Sequence, residues 1–338
     1  MSSLVSHALR TLVEGQHLEA SEAEALVLEI MSGEVSPVHL AALLVAWRMK
    51  GETIAELVGA ARALRARAEA IHPNVPVVDT CGTGGDGSNS FNISTAAALI
   101  AAAAGVAVAK HGNRAVSGKV GGADILEALG MRIDLPPEKV RACIEATGFG
   151  FLFAPRFHPA MRHVAGVRRE LGLRTIFNLL GPLANPAGAK RQVVGVFAPK
   201  WLQPMAEALG ELGAEHALVV HSEDGLDEIS LSAPTRVCEW REGKVRVWLL
   251  DPAELGFPRY PREAFVCPDL HTALDRMRAV LRGEPGPCTD VAKLNAAAAL
   301  YVAGRVTTLG EGVSLVHDTL SRGLAGEKLA EVVAWTNR

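Results

Sequence analysis

Over the first 70 residues apolar side chains recur at three- and four-residue intervals, and polar start and stop signals divide them into four short helices with no strand between. Ser21 with Glu24, and Thr53 with Glu56, have the spacing of a capping box, in which a hydroxyl and a carboxylate satisfy free N–H groups at a helix start. Ser36 followed by Pro37 reads as an N-cap with proline at the first helical position, and Gly51 closes the apolar-periodic run HLAALLVAWRMK. From residue 76 the period changes. Short β-branched runs (VPVVD, VAVAK, RQVVGVF, HALVVH) alternate with helical stretches at 95–104, 123–129, 159–170 and 201–212, the pattern of a mostly parallel sheet covered by helices. Further on, TRVCEW and KVRVWLL flank a turn at 241–243 and read as an antiparallel hairpin. The expected fold class is therefore α/β: a small all-helical N-terminal domain, residues 1–72, joined to a larger α/β domain, residues 73–338, with a mostly parallel central sheet and an added antiparallel hairpin. The change of pattern at 72–76 sets the boundary and leaves open that helices around 168–185 pack back onto the first four.

Composition refines this picture. Hydrophobic residues make up 49% of the chain and aromatics only 5%, so the core must be built from Ala, Val and Leu, and the alanine-rich runs at 96–104 and 296–299 read as closely packed helices. The net charge is −3, from 34 Lys and Arg against 37 Asp and Glu, with no basic block; this argues against nucleic-acid binding and requires any phosphate to be met by local groups. Five scattered cysteines without a C-x-x-C spacing indicate neither a disulfide framework nor a zinc site. The longest apolar run, 96–109, is broken by Gly105 and is shorter than the ~20 residues of a membrane span. The start MSSLVSHALRTLVEG lacks the basic, apolar and cleavage segments of a signal peptide, and the expectation is a soluble cytoplasmic protein with no membrane contact.

The chemistry concentrates in three segments. In DTCGTGGDGSNSFNIST (79–95) a strand ends, Gly82, Gly84, Gly85 and Gly87 follow, and Ser94 and Thr95 fall at a helix N-terminus, where free N–H groups and the helix dipole favour an anion. No G-K-[ST] closes this loop and no G-x-G-x-x-G opens its helix, so it is neither a P-loop nor a dinucleotide fingerprint. KHGNRAVSGKVGGAD (110–124) also runs from strand to helix and carries Lys110, Arg114 and Lys119 among small residues; two such loops on one sheet present their anion-binding ends at the same edge. In DGLDEIS the adjacent Asp227 and Glu228 would face apart on a strand; on a loop they can converge on a hard cation such as Mg2+, but an unpaired acidic pair is usually just solvated, and taken alone it argues against a metal.

GTGGD (82–86), NIST (92–95), KHGNR (110–114), S-x-K-x-G-x-A-D (117–124), FNLLGPLANPA (177–187) and DE (227–228), in this order over nearly the whole chain, strongly resemble the anthranilate phosphoribosyltransferase family. GTGG and a basic loop are shared with pyrimidine nucleoside phosphorylases, but the acid pair and the FNLLGPLANPA segment argue against that class, and the charge balance argues against a non-catalytic nucleic-acid-binding paralogue of the fold. The resemblance implies transfer of the 5-phosphoribosyl group from phosphoribosyl pyrophosphate (PRPP) to the amine of anthranilate in tryptophan biosynthesis, with Mg2+ as cofactor. It also implies a homodimer through the helical domain, and leaves association with an anthranilate synthase component open. Carried over residue by residue, it places Gly82, Gly85, Asp86, Ser90, Asn92, Ile93, Ser94, Thr95, Lys110, His111, Gly112, Asn113, Arg114, Ser117, Gly118, Lys119 and Gly122 at PRPP. It places Gly82, Asn113, His158, Arg168 and Gly181 at anthranilate, and Ser94, Asp227 and Glu228 at the metal.

No essential acid or base is expected among these residues. The anthranilate amine has its lone pair delocalised into the ring and is unprotonated at neutral pH, so nothing need deprotonate it before attack. The barrier lies in breaking the anomeric C–O bond, and the rate is assigned to electrostatic stabilisation and proximity, with His111 as a positioner. Nothing but the resemblance favours Arg168 over Arg169. Ala115, Gly118 and Gly122 stand where the family commonly has serine; at ~0.5–1.5 kcal/mol per neutral hydrogen bond, each lost hydroxyl is expected to weaken PRPP binding by a factor of a few.

Overall fold

The structure, a computed structural model, describes residues 2–115 and 120–338. Four helices open the chain: α1 (Ser3–Val13), α2 (Ala20–Ser32), α3 (Pro37–Lys50) and α4 (Ile54–Ala66). Ser36 caps α3 by accepting from the His39 N–H, and the Thr53–Glu56 box forms as expected, Glu56 Oε2 accepting from Thr53 N at 2.8 Å. The start of α2 differs from the sequence reading. Its N-cap is Glu19, whose N–H donates to Glu22 Oε2 at 2.9 Å, so the Ser21–Glu24 box does not form. The earlier start places Leu18 and Ala23, both buried, at the two positions flanking the first turn. Glu56 is wholly buried; besides Thr53 it accepts from Leu18 N (2.9 Å) and from Lys50 Nζ (2.7 and 2.8 Å), and so ties α3 and α4 to the segment before α2.

Seven strands follow: β1 (Val78–Asp79), β2 (Val108–Gly112), β3 (Phe149–Phe153), β4 (Arg191–Gly195), β5 (His216–Ser222), β6 (Thr235–Arg241) and β7 (Lys244–Leu250). They form one sheet in the order β3-β2-β1-β4-β5-β6-β7, with the first five parallel and β6 and β7 antiparallel, so the mostly parallel sheet with an added hairpin is as the sequence predicts. Only β3, FGFLF, escapes the pattern, because it has no β-branched residue. The chain winds outward from β1 to β3 and then returns to the other side of β1 at β4. The sheet order therefore reverses between β1 and β4, and crevices for ligands open at the carboxyl ends of strands at such a point.

The covering helices are α5 (Ile93–Ala103), α6 (Gly122–Ala128), α7 (Pro137–Thr147), α8 (Ala154–Phe157), α9 (Arg162–Leu171), α10 (Leu180–Leu183), α11 (Leu202–Glu211), α12 (Leu270–Leu281), α13 (Pro287–Val302), α14 (Leu309–Ser321) and α15 (Leu324–Thr336). Alternate residues of the strands serve two cores. Val193, Leu218, Val220 and Val237 face the alanine-rich α5 and α13, which pack directly on each other. Val194, Ala217, Val219 and Cys238 face α11 and share their core with the first four helices. Helix α9 packs on α2 and α3, and α10 on α4.

The tightest helix contact in the N-terminal bundle lies between α2 and α4, where a Cβ at Gly59 would overlap the Ala20 carbonyl oxygen and press on Ala23 Cβ at 3.0 Å. Gly59→Ala is therefore expected to destabilise the protein by about 1–3 kcal/mol, read as a lower denaturant midpoint at unchanged m-value. Were the helices free to separate, the better helix propensity of alanine would leave the midpoint unchanged or raise it.

Candidate active site

The site is built on loops leaving the carboxyl ends of β1, β2, β4 and β5. After β1 the chain turns through Gly84, Gly85 and Gly87, all with positive φ, and reaches the N-terminus of α5 at Asn92. Gly195, at the end of β4, allows the neighbouring loops to meet. Thr83 N donates to its carbonyl at 2.8 Å, and a Cβ at this position would overlap the Asp227 carbonyl oxygen. The glycine loop is also fastened from the far end of the chain: Phe91 N donates to Phe265 O (2.7 Å) and Cys267 N to Asn89 O (2.8 Å). Asn295 of α13 clamps the acidic loop, its side chain bonding both Ile229 N (3.1 Å) and Ile229 O (2.8 Å). A cleft of about 210 Å³ results, lined by Gly82, Gly85, Asp86, Ser90, Asn92, Ile93, Ser94, Asp227 and Glu228 among others.

The cleft is strongly anionic. Glu228 Oε1 accepts from Ser94 N at 3.2 Å, and Asp227 N donates to Asp86 Oδ2 at 3.3 Å. Burial, and then the charges of Asp86 and Glu228, push the Asp227 carboxyl well above its ordinary range. Burial raises Glu228 to about 7 against the opposing charge of Lys110. Lys110 is itself buried, its Nζ bonding Thr80 O (3.2 Å), Thr80 Oγ1 (3.1 Å) and Ser94 Oγ (3.2 Å). Asp79, at the end of β1, is wholly buried; desolvation raises it to about 6, with Lys110 the largest opposing influence.

Beside this cleft lies a second, nearly uncharged group. His111 Nδ1 donates to the Gly181 carbonyl at 3.0 Å, and its ring lies 5.1 Å from that of His158. Burial lowers His111 to about 3, helped by His158, and lowers His158 to about 4, so both imidazoles are neutral near pH 7. Each leaves a buried Nε2 without a partner. Arg168 is part-buried with its guanidinium 5.7 Å from the centre of the Phe177 ring, whereas Arg169 is exposed.

Comparison with known proteins agrees with this geometry. Residues 6–68 match the helical bundle domain of a glycosyl transferase family, and residues 74–326 match its a/b domain. An anthranilate phosphoribosyltransferase of Symbiobacterium thermophilum is 54% identical over 331 residues, covering 98% of this chain and 97% of that protein. This chain belongs to the anthranilate phosphoribosyltransferase family. The crystal structure of the Thermus thermophilus member superposes with a TM-score of 0.92 at 49% identity, over 98% of this chain and 99% of that one. The Saccharomyces cerevisiae enzyme, solved in complex with PRPP and Mg, shares the fold at a TM-score of 0.92 with 24% identity, over 100% of this chain and 99% of that one.

Of the residues that the family resemblance singles out, nine line the cleft as given above, Gly181 and His158 adjoin His111, and Arg168 packs on Phe177. Thr95, Lys110, His111, Gly112 and Gly122 lie around the cleft: Gly112 packs against Phe151, and a Cβ at Gly122 would come within 3.2 Å of Thr95 Oγ1. Asn113 and Arg114 point elsewhere. Asn113 Oδ1 accepts from Arg114 N, while the Arg114 guanidinium pairs with Asp124 (3.0 Å) and Glu127 (2.8 Å) of α6. Ser117, Gly118 and Lys119 lie outside the described residues. Sequence reasoning missed Asp79 and Asn185, although both stand in motifs it had singled out. Asp79 Oδ1 accepts from His111 N (3.2 Å), and Asn185 Nδ2 bonds Asp79 Oδ2 (2.7 Å) and Ala109 O (2.9 Å). It also missed Arg174, which donates to Gly85 O and stacks 4.5 Å over Phe197.

A carboxyl raised in the fold holds its proton where the unfolded chain has lost it, so Glu228 costs stability increasingly as pH climbs from about 4.5 to 7. In EDTA at pH 8, Glu228→Gln should thus stabilise the protein, by about 1–2 kcal/mol after allowing for water at the cleft wall. The gain should vanish by about pH 4.5, where both states carry the proton. Melting curves across pH test this, and a gain independent of pH would contradict the assigned cause.

Proposed function

We propose that this protein transfers the 5-phosphoribosyl group from PRPP to the amino group of anthranilate, releasing pyrophosphate, as a step of tryptophan biosynthesis. The observation that carries the reading is the pairing of a glycine loop and acid pair with an adjoining pair of neutral imidazoles, in a chain 54% identical to a family member over nearly its full length. The backbone N–H groups of the glycine loop and the N-terminus of α5 serve the phosphates, with Lys110 as the buried cation behind them. Asp227 and Glu228, with the Ser94 hydroxyl, are the residues that would hold Mg2+. Their hard oxygen donors and poorly neutralised charge suit that ion, although among the described residues no group of three or more His, Cys, Asp or Glu is arranged for a metal. The chemistry supplied by a bound Mg2+ is neutralisation of charge on the departing pyrophosphate.

On the acceptor side, Arg168 offers a planar cation to the anthranilate carboxylate, and the free Nε2 atoms of His111 and His158 accept from its amine. Neutral imidazoles orient the amine and take up its proton after the new bond forms. The dimer belongs to the same reading: Val13, Val38 and Met49 are large apolar residues 71%, 77% and 83% exposed on or beside α1 and α3, a surface suited to a second copy. So does a cytoplasmic setting; no described helix is long and apolar enough to cross a membrane.

Loss of anthranilate fluorescence on adding PRPP and Mg2+ tests the function, and EDTA should reduce the rate to background. Turnover at full speed after metal removal, or no turnover in any condition, refutes the reading. In the same assay Asp227→Asn with Glu228→Gln should slow the reaction by roughly 10²–10³-fold. His111→Ala should cost about tenfold or less, and equal or reversed losses would return the histidine to an acid–base role. For the dimer, Met49→Glu should yield monomers in sedimentation, and an unaltered mass would remove this face from the interface.

A further inference from the structure

Of the five residues 181–185, four are each held by a side chain from elsewhere in the fold. His111 Nδ1 donates to Gly181 O (3.0 Å), Gln192 Nε2 to Pro182 O (2.9 Å), and Arg65 Nε to Leu183 O (2.7 Å). Asp79 fixes the side chain of Asn185, and the His158 ring lies 5.1 Å from that of His111. A carbonyl only accepts, so His111 must carry its proton on Nδ1, and its buried Nε2 keeps a free lone pair. The backbone of 181–185 therefore selects one tautomer of His111.

Among these four partners Arg65 alone comes from the N-terminal helices. It stands in the last turn of α4, and its guanidinium spans two helix ends: Nε reaches Leu183, the last residue of α10, and Nη1 reaches Leu212 O (3.0 Å), just past α11. Both are orphan carbonyls that a cation satisfies well. Leu183 lies two residues from Gly181, so a shift of its carbonyl displaces the acceptor that orients His111. We propose that Arg65 is a positioning residue for the acceptor substrate, acting through the 181–185 backbone on the tautomer and orientation of His111. The inference rests on the proposed function, in which that ring faces anthranilate. The competing possibility is that Arg65 merely fastens α4 to the sheet.

Arg65→Met keeps the length of the side chain and removes its donors. If Arg65 positions the acceptor site, kcat/KM for anthranilate falls on the order of tenfold while KM for PRPP stays within about twofold. In the substrate-free protein, ¹⁵N spectra of labelled histidine, assigned with His111→Ala, should show His111 Nε2 unprotonated in wild type and mixed tautomers in Arg65→Met. A lower melting temperature with unchanged kinetics and tautomers, or equal losses for both substrates, overturns the proposal. If Arg65→Met does not yield folded protein, Arg65→Lys, which keeps the charge and one donor, is judged by the same criteria with a smaller shift expected. Wild-type protein inactive with anthranilate and PRPP sinks the functional reading and this inference with it. An active wild type with an indifferent Arg65→Met sinks only the inference.

Discussion

The whole site depends on close approach at the end of β4. Gly195 has no side chain, and the Asp227 carbonyl occupies the space one would fill, while Gly82 and Thr83 approach the Gly195 backbone itself. Strand order makes this meeting possible, since β4 lies between β1 and β5 and each neighbour sends its loop over the same edge. Any larger residue at 195 would separate the glycine loop from the acid pair by about the width of a methyl group. The phosphate site and the cation site would then no longer be one site.

Once the loops have met, electrostatics divides the space. On one side Asp86, Asp227 and Glu228 accumulate negative charge that the protein does not balance, and the raised carboxyls of the last two record the cost. On the other, burial keeps His111 and His158 uncharged. Lys110 sits at the division, since its charge opposes the rise of both Asp79 and Glu228. Such a layout suits a reaction in which charge builds up at one end of the sugar while a neutral nucleophile waits at the other: the strong field acts where charge develops, and the acceptor is positioned without being protonated.

Much of this is legible in the sequence, and the part that is not has a common cause. Glycine spacing, strand-to-helix alternation and an adjacent acid pair are local signals, and they locate the cleft, the sheet and the hairpin. The start of α2 escapes them because the box at Ser21 and Glu24 and the one at Glu19 and Glu22 differ only in which neighbours become buried, which no local pattern records. Asp79, Asn185 and Arg65 act through contacts 32, 106 and 118 residues away along the chain, to His111, Asp79 and Leu183 respectively. Arg168 and Arg169 are indistinguishable in VRRELGLR, and only packing against Phe177 separates them. Arg114 reads as a phosphate ligand from its place in a basic loop, but two acids of α6 supply its partners in this structure.

Helices give way to the sheet along the chain near residues 72–76, yet the core is continuous across that point. Buried residues of the first four helices form one continuous cluster with α11 and one face of β4, β5 and β6, while the opposite face packs on α5 and α13. The two halves of the site inherit this asymmetry. The phosphate cleft rests on strand ends and on clamps from α13 and the 265–267 segment, all within the α/β part. The His111–His158 pair rests on residues 181–185, whose support includes α4. A displacement of α4 would therefore reach the His111 side of the site through the Arg65 bond to Leu183, whereas the clamps on the cleft lie outside the first four helices.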